Sequence, residues 1–196
     1  PAAKNVTLTS GTFEFNDNGD TGLVIWSKGA ITLQDITANH NATDGAYLDN
    51  LAGTGNVTLT GTNIFSENVN GGLVVWSKGS ISASNLIANA NDGLWGANLH
   101  NNAATGSMPV TLTGSNEFKF NGGGLRIQSN GAITLNNIVA SNNHNYNGVW
   151  LVNDSSTVNS SVTLTGTNIF NDNNYGGINI YSKGIISLNN VNANGN

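Results

Sequence analysis

The chain has 196 residues, of which 38% are hydrophobic and only 9% charged, with a net charge of −5 and no cysteine. An acidic balance with Arg126 as the one arginine disfavours a nucleic-acid partner, and no apolar run nears the roughly 18 residues of a membrane span. The missing cysteines exclude disulfides, thiolate metal sites and thiol nucleophiles.

In chain order, Val6-Thr7-Leu8-Thr9 alternates apolar and polar residues, the period of a half-buried strand. A turn at Ser10-Gly11 follows, then a short apolar stretch reaching Phe15. A polar bend runs from Asn16 to Gly22. A further alternating run, Leu23-Val24-Ile25-Trp26, ends at the turn Ser27-Lys28-Gly29, and Ile31-Thr32-Leu33 starts the pattern again. Val6-Thr7-Leu8-Thr9 recurs as Val57-Thr58-Leu59-Thr60, Val110-Thr111-Leu112-Thr113 and Val162-Thr163-Leu164-Thr165, at spacings of 51, 53 and 52 residues. Ile31, Ile81, Ile133 and Ile186 open a second kind of unit between them. The unit is thus a coil of about 25 residues with two types alternating, in double-coil repeats 6–56, 57–109, 110–161 and 162–196. Three short strands per coil, parted by Gly and Asn bends, predict an all-β parallel β-helix (a β-solenoid) of about eight coils across 1–196. Helix is not expected: no 3.6-residue stripe occurs, and Asn, Gly and Thr are poor helix formers.

The composition holds 37 asparagines, and they fall in register. Asn18, Asn68, Asn121 and Asn173 each follow a phenylalanine (Phe15, Phe65, Phe118, Phe170) by three residues. Asn41, Asn91, Asn143 and Asn196 follow Ala38, Ala88, Ala140 and Ala193 in the same way. A second polar column is Asp35, Asn85, Asn137 and Asn190. Stacked strands lie about 4.8 Å apart. An inward amide has donors and an acceptor for the bend's unpaired backbone groups, and asparagine tolerates left-handed backbone. An internal Asn ladder with a structural role is the expectation.

Bent three-strand coils of this length resemble the right-handed parallel β-helices of pectate-lyase-type and autotransporter-type proteins, over nearly the whole chain. Phe-x-x-Asn paired with Gly71-Gly72-Leu73, Gly123-Gly124-Leu125 and Gly176-Gly177-Ile178 is similar to the tetrapeptides of chlamydial polymorphic outer-membrane passengers. The even coils depart from that pattern, with Ala for Phe and with Asp44-Gly45, Trp95-Gly96 and Asn147-Gly148 for Gly-Gly. The resemblance implies an exported protein, secreted or at the cell surface. The start, Pro1-Ala2-Ala3-Lys4, is no signal peptide, so an export signal would lie outside this segment. Neither end carries a polar cap. The expected setting is a longer array or filament, with further copies of the repeat or other subunits stacked end to end.

The repeats also assign faces. Positions 23 and 25 and their equivalents are always aliphatic, while the intervening ones accept Arg126, Gln128 and Asn179, so these point outward. The outer wall then carries Trp26, Tyr47, Trp76, Trp150 and Tyr181, with Val24, Val74 and Val152 between them. Such a wall could stack on sugar rings or anchor a host or cell-surface protein. It could instead stabilise the sheet through cross-strand neighbours, or contact another part of the parent protein. The first strands present a second outward array: Thr7, Thr32, Thr58, Ser82, Thr111, Thr134, Thr163 and Ser187. Because Thr-x-Thr occurs only in odd coils, an ice-binding face is an alternative with an interrupted array.

Catalysis on this fold would need clustered carboxylates. The eleven acidic residues are scattered, and the best group is Asp17, Asp20 and Glu67 in a solvated bend. His40, His100 and His144 occupy non-equivalent positions and read as isolated surface groups. Asn16, Asn18 and Asp20 have the alternating oxygens of a calcium loop but lack its downstream Glu; no other cofactor is expected. The expectation is a non-catalytic structural or adhesive module, with a carbohydrate-active enzyme fragment as an alternative.

Overall fold

The computed structural model describes residues 3–156 and 158–196; Pro1 and Ala2 of the N-terminal segment lie outside them. Each Val/Ile-led start forms a strand: Val6–Leu8, Ile31–Gln34, Val57–Thr60, Ile81–Ser84, Val110–Thr113, Ile133–Asn136, Val162–Thr165 and Ile186–Leu188. Each pairs in parallel with its copy one coil on, giving a first sheet of eight strands. Two-residue strands from Phe13–Glu14 to Val191–Asn192 form a second sheet of eight. The third has seven: Leu23–Trp26, Ala46–Asp49, Leu73–Trp76, Trp95–His100, Gly123–Gln128, Val149–Val152 and Ile178–Tyr181. The chain is a parallel β-solenoid, without helix among the described residues. It completes seven turns, and the eighth expected coil supplies only its strands in the first two sheets.

Register keeps like above like. Leu8 pairs with Leu33 and Leu33 with Leu59, while Ile25 pairs with Leu48 and Leu48 with Val75. A slip of one residue would turn every such side chain outward. The core is therefore a set of continuous apolar rows.

The alternation of coil types has two packing causes. Phe65, Phe118 and Phe170 are fully buried, with Ala38, Ala88 and Ala140 at the equivalent places in the neighbouring coils, so each ring is flanked by methyl groups. A close-packed interior has no room for two rings in succession. The second cause lies after the first strand. There the backbone is left-handed in every coil, at Asp35, Asn85 and Asn137 (φ 52°, 46° and 47°) and at Gly61, Gly114 and Gly166 (φ 70°, 73° and 70°). The even-coil side chains occupy the space where a Cβ on these glycines would go. Asp35 Oδ1 accepts the Thr62 N–H at 2.8 Å and Asn137 Oδ1 the Thr167 N–H at 2.9 Å.

The Asn ladder runs unbroken from Asn18 to Asn196. Each backbone N–H donates to the Oδ1 of the next asparagine: 18 to 41, 41 to 68, 68 to 91, 91 to 121, 121 to 143, 143 to 173 and 173 to 196, at 2.9–3.1 Å. In the interior, Nδ2 also donates to a carbonyl at the Phe/Ala position: Asn91 to Phe65 O at 3.0 Å, Asn121 to Ala88 O at 2.9 Å. The left-handed residue is not the ladder asparagine itself but the one before it: Asp17, His40, Glu67, Ala90, Phe120, Asn142 and Asp172 have φ of 54–59°. At Ala90 and Phe120 this conformation costs about 1–2 kcal/mol, which the ladder bonds must offset.

The ladder also dictates a glycine column. A Cβ at Gly96 would lie 2.6 Å from Ala88 O and 2.7 Å from Asn121 Nδ2; at Gly148 it would lie 2.6 Å from Asn173 Nδ2 and 2.7 Å from Ala140 O. The ladder amide fills the side-chain space at these positions. This explains the departures from Gly-Gly: only the second glycine is required, and Asp44, Trp95 and Asn147 replace the first. Gly96→Ala is expected to destabilise by about 1–3 kcal/mol through overpacking, whereas Gly19→Ala, with nothing within 4 Å of the new methyl, should be near neutral. Urea unfolding of the two variants checks this difference.

Candidate functional site

The candidate wall is the outer face of the third sheet. Pairing sorts its outward residues into two columns. One holds Val24, Tyr47, Val74, Asn98, Arg126, Trp150 and Asn179; the other holds Trp26, Asp49, Trp76, His100, Gln128, Val152 and Tyr181. The five aromatic residues read from the sequence share this face but form no continuous strip. Trp26 is 73% exposed, and its ring centroid lies 6.4 Å from that of Tyr47. Beside Trp26, a shallow groove of about 390 Å³ is bordered by Lys28, Asp49, Leu51 and Ala52. Tyr181 is exposed at the far end. Trp76 and Trp150 are half-buried.

The middle of the wall holds residues that sequence reasoning missed. His100 is not an isolated surface group: it is 3% exposed and stacks on Trp76, with centroids 4.1 Å apart and planes 12° apart. Its Nε2 lies 2.6 Å from Asn98 Oδ1. Burial, and then the positive charge of Arg126, push its pKa down to about 4. Trp95 is 6% exposed and stacks on Tyr146 at 5.3 Å, with Trp150 at 6.1 Å. Trp95 and Tyr146 stand two coils apart and meet across Gly123, where a Cβ would lie 2.7 Å from the indole. The available signal was a tryptophan in a column otherwise rich in glycine. The Arg126 guanidinium carbon lies 5.2 Å from the Trp150 ring centroid. Neither Arg126 Nε nor Trp150 Nε1, both buried, has a hydrogen-bond partner. Among the described residues the ion pairs are His40–Glu67 and Lys119–Glu117, so Arg126 has no acidic partner.

The other expected sites separate. Asn16 Oδ1 accepts the Asn39 N–H, Asn18 belongs to the ladder, and Asp20 Oδ1 accepts from the Thr21 N–H and the Thr43 hydroxyl. The three side chains of the calcium-like loop thus serve three different bonding sets. Among the described residues no group of three or more His, Cys, Asp or Glu could hold a metal. Asp17, Asp20 and Glu67 are exposed, and Glu67 Oε2 lies 2.7 Å from His40. Burial pushes the Asp44 carboxyl up, against the bond it accepts from the Gly71 N–H. His144 is exposed, as expected.

On the first sheet, Thr7, Thr32, Thr58, Ser82, Thr111, Thr134, Thr163 and Ser187 form one uninterrupted hydroxyl column in register. Interruption at even coils is confined to the adjacent column, where Gln34 pairs with Thr60 and Asn136 with Thr165.

No protein-family model matches the chain, and no curated protein or solved structure matches it.

The depressed His100 pKa has a consequence for stability. Between pH 6.5, the value for a free imidazole, and about 4, the unfolded chain binds the proton more readily than the folded one. Stability from this group is therefore full above pH 6.5 and falls as the pH drops towards 4. The thermal midpoint of the wild type is expected to fall further between pH 7 and pH 4.5 than that of His100→Gln; equal falls would contradict burial of a neutral imidazole.

Proposed function

We propose that the chain is a non-catalytic structural and adhesive module of an exported protein, secreted or at the cell surface, whose third-sheet wall contacts glycans. The observation that carries this reading is Trp26, 73% exposed on a rigid sheet beside Tyr47 and above a groove edged by Lys28 and Asp49. An open indole offers a flat apolar face to a sugar ring, and the two polar groups can meet its hydroxyls. The sequence resemblance to autotransporter-type passengers supports export. Dispersal of the carboxylates supports display rather than hydrolysis, which needs a defined pair.

End-to-end stacking on further repeats or other subunits is part of the proposal. The parallel register that sets Ile186 on Val162 and Leu188 on Leu164 is the one that joins the earlier coils, so a further copy of the repeat can stack by the same pairing.

A glycan array probed with the whole chain tests the adhesive reading. Trp26→Ala removes an exposed side chain and is expected to leave the fold intact while lowering retained binding about tenfold, the equivalent of roughly 1.4 kcal/mol. Binding that is absent throughout, or unchanged by this substitution, would overturn the role of the wall. Turnover of any polysaccharide would overturn the non-catalytic assignment.

A further inference from the structure

We propose that the middle of the same wall is a subsite for the carboxylate of a sugar acid, held by Arg126. The inference rests on the glycan reading above and names the chemistry it selects. Arg126 is the one arginine of a chain with net charge −5. It stands in the fifth coil, paired with Asn98 on one side and Trp150 on the other. Its neighbours supply no countercharge: neither ion pair of the described residues includes it, and its buried Nε has no hydrogen-bond partner. His100, whose pKa the charge of Arg126 helps to lower, is neutral at pH 7.

The Trp150 ring face, 5.2 Å away, supplies neither a hydrogen-bond acceptor for the guanidinium fork nor a full countercharge, and a half-buried cation is unfavourable until something does. Two of the five lysines are answered. Lys119 Nζ lies 3.1 Å from Glu117, and Lys183 Nζ donates to Ser156 O at 3.1 Å. With Nε buried against the wall, the two Nη groups are the donors a ligand can reach. A guanidinium fork takes a carboxylate through two parallel hydrogen bonds, a geometry lysine cannot reproduce.

The surroundings favour a sugar as the carrier of that carboxylate. Two aromatic groups flank Arg126: Trp76 stacked on His100, and the set of Trp95, Tyr146 and Trp150. Tyr146, 40% exposed, and the half-buried Trp76 and Trp150 offer apolar surface to the C–H faces of a pyranose. Asn98, Gln128 and Asn179 lie in the same two columns and bring amide donors and acceptors for hydroxyl groups. One uncompensated positive charge fits one carboxylate.

Titration calorimetry on the whole chain tests this with 3′-sialyllactose, a hyaluronan tetrasaccharide, lactose and a tetraglutamate peptide. The first two carry the carboxylate on different sugar acids, and whichever binds identifies the source. The expected result is binding of at least one acidic saccharide ten or more times tighter than lactose. Arg126→Gln should abolish that preference, Arg126→Lys should retain part of it, and Trp26→Ala should leave the acidic-to-neutral ratio unchanged. Lactose binding as tightly as both acids, or a preference that survives Arg126→Gln, overturns the subsite. Trp26-dependent binding of neutral glycans would then still support the wall. The wild-type comparison of acid with lactose decides the question even where Arg126→Gln does not fold. Tetraglutamate binding as tightly as the saccharides, with the same dependence on Arg126, overturns the sugar assignment in favour of an acidic peptide. Absence of all saccharide binding overturns this subsite and the glycan reading together.

Discussion

The constraint on which the rest of the structure depends is the bond between a bend amide and the asparagine one coil away. A solenoid must turn its chain several times per coil, and each turn leaves backbone groups without sheet partners. Here Asn41, Asn68, Asn91, Asn121, Asn143 and Asn173 meet them, buried, with Oδ1 receiving the neighbouring bend N–H. A buried polar group left unpaired costs about 1–3 kcal/mol, so an interruption at one coil is a substantial loss for a fold held by nearest neighbours. The same amides exclude a side chain from the glycine that opens the third strand, and they hold Ala90 and Phe120 in a left-handed conformation. Ladder, glycine column and strained bend are consequences of one hydrogen-bond pattern.

That pattern frees the outer face of the third sheet. Once Gly96 and its equivalents are fixed, the residue before each is free of the ladder, and Asp44, Trp95 and Asn147 stand where other coils have glycine. The wall can therefore vary from coil to coil without disturbing the core. In the fourth to sixth coils this variation produced the Trp95–Tyr146–Trp150 set, with Trp95 and Tyr146 meeting over Gly123, and Arg126 without an acidic partner. The proposed binding chemistry sits where the repeat is least regular.

The same division decides what was legible in the sequence. The strands, their register and the ladder could be read because each is repeated, and repetition separates signal from an asparagine-rich background. A further buried column, Asn63, Asn116 and Asn168, escaped notice although it repeats too. It falls at a position that even coils fill with Ile36, Leu86 and Ile138, so only alternate coils carry it. Asn63 Oδ1 accepts the Ile36 N–H at 3.2 Å and Asn116 Oδ1 the Leu86 N–H at 3.1 Å, joining the two coil types. The wall was readable only in part. Alternation placed Trp26 and Tyr181 outside correctly, but stacking of His100 on Trp76 depends on which residues become cross-strand neighbours. The meeting of Trp95 with Tyr146 spans two coils and has no counterpart elsewhere in the chain.

Amide hydrogen exchange at the bends tests the central claim most directly. The backbone N–H groups of Asn41, Asn68, Asn91, Asn121 and Asn143 lie outside regular strands, yet each donates to a buried Oδ1. If the ladder holds the fold, these amides exchange as slowly as those of the core strands and open only with the whole solenoid. Exchange at the rate of an exposed bend amide such as Gly19 would show that the ladder bonds open locally and that the strands alone carry the structure.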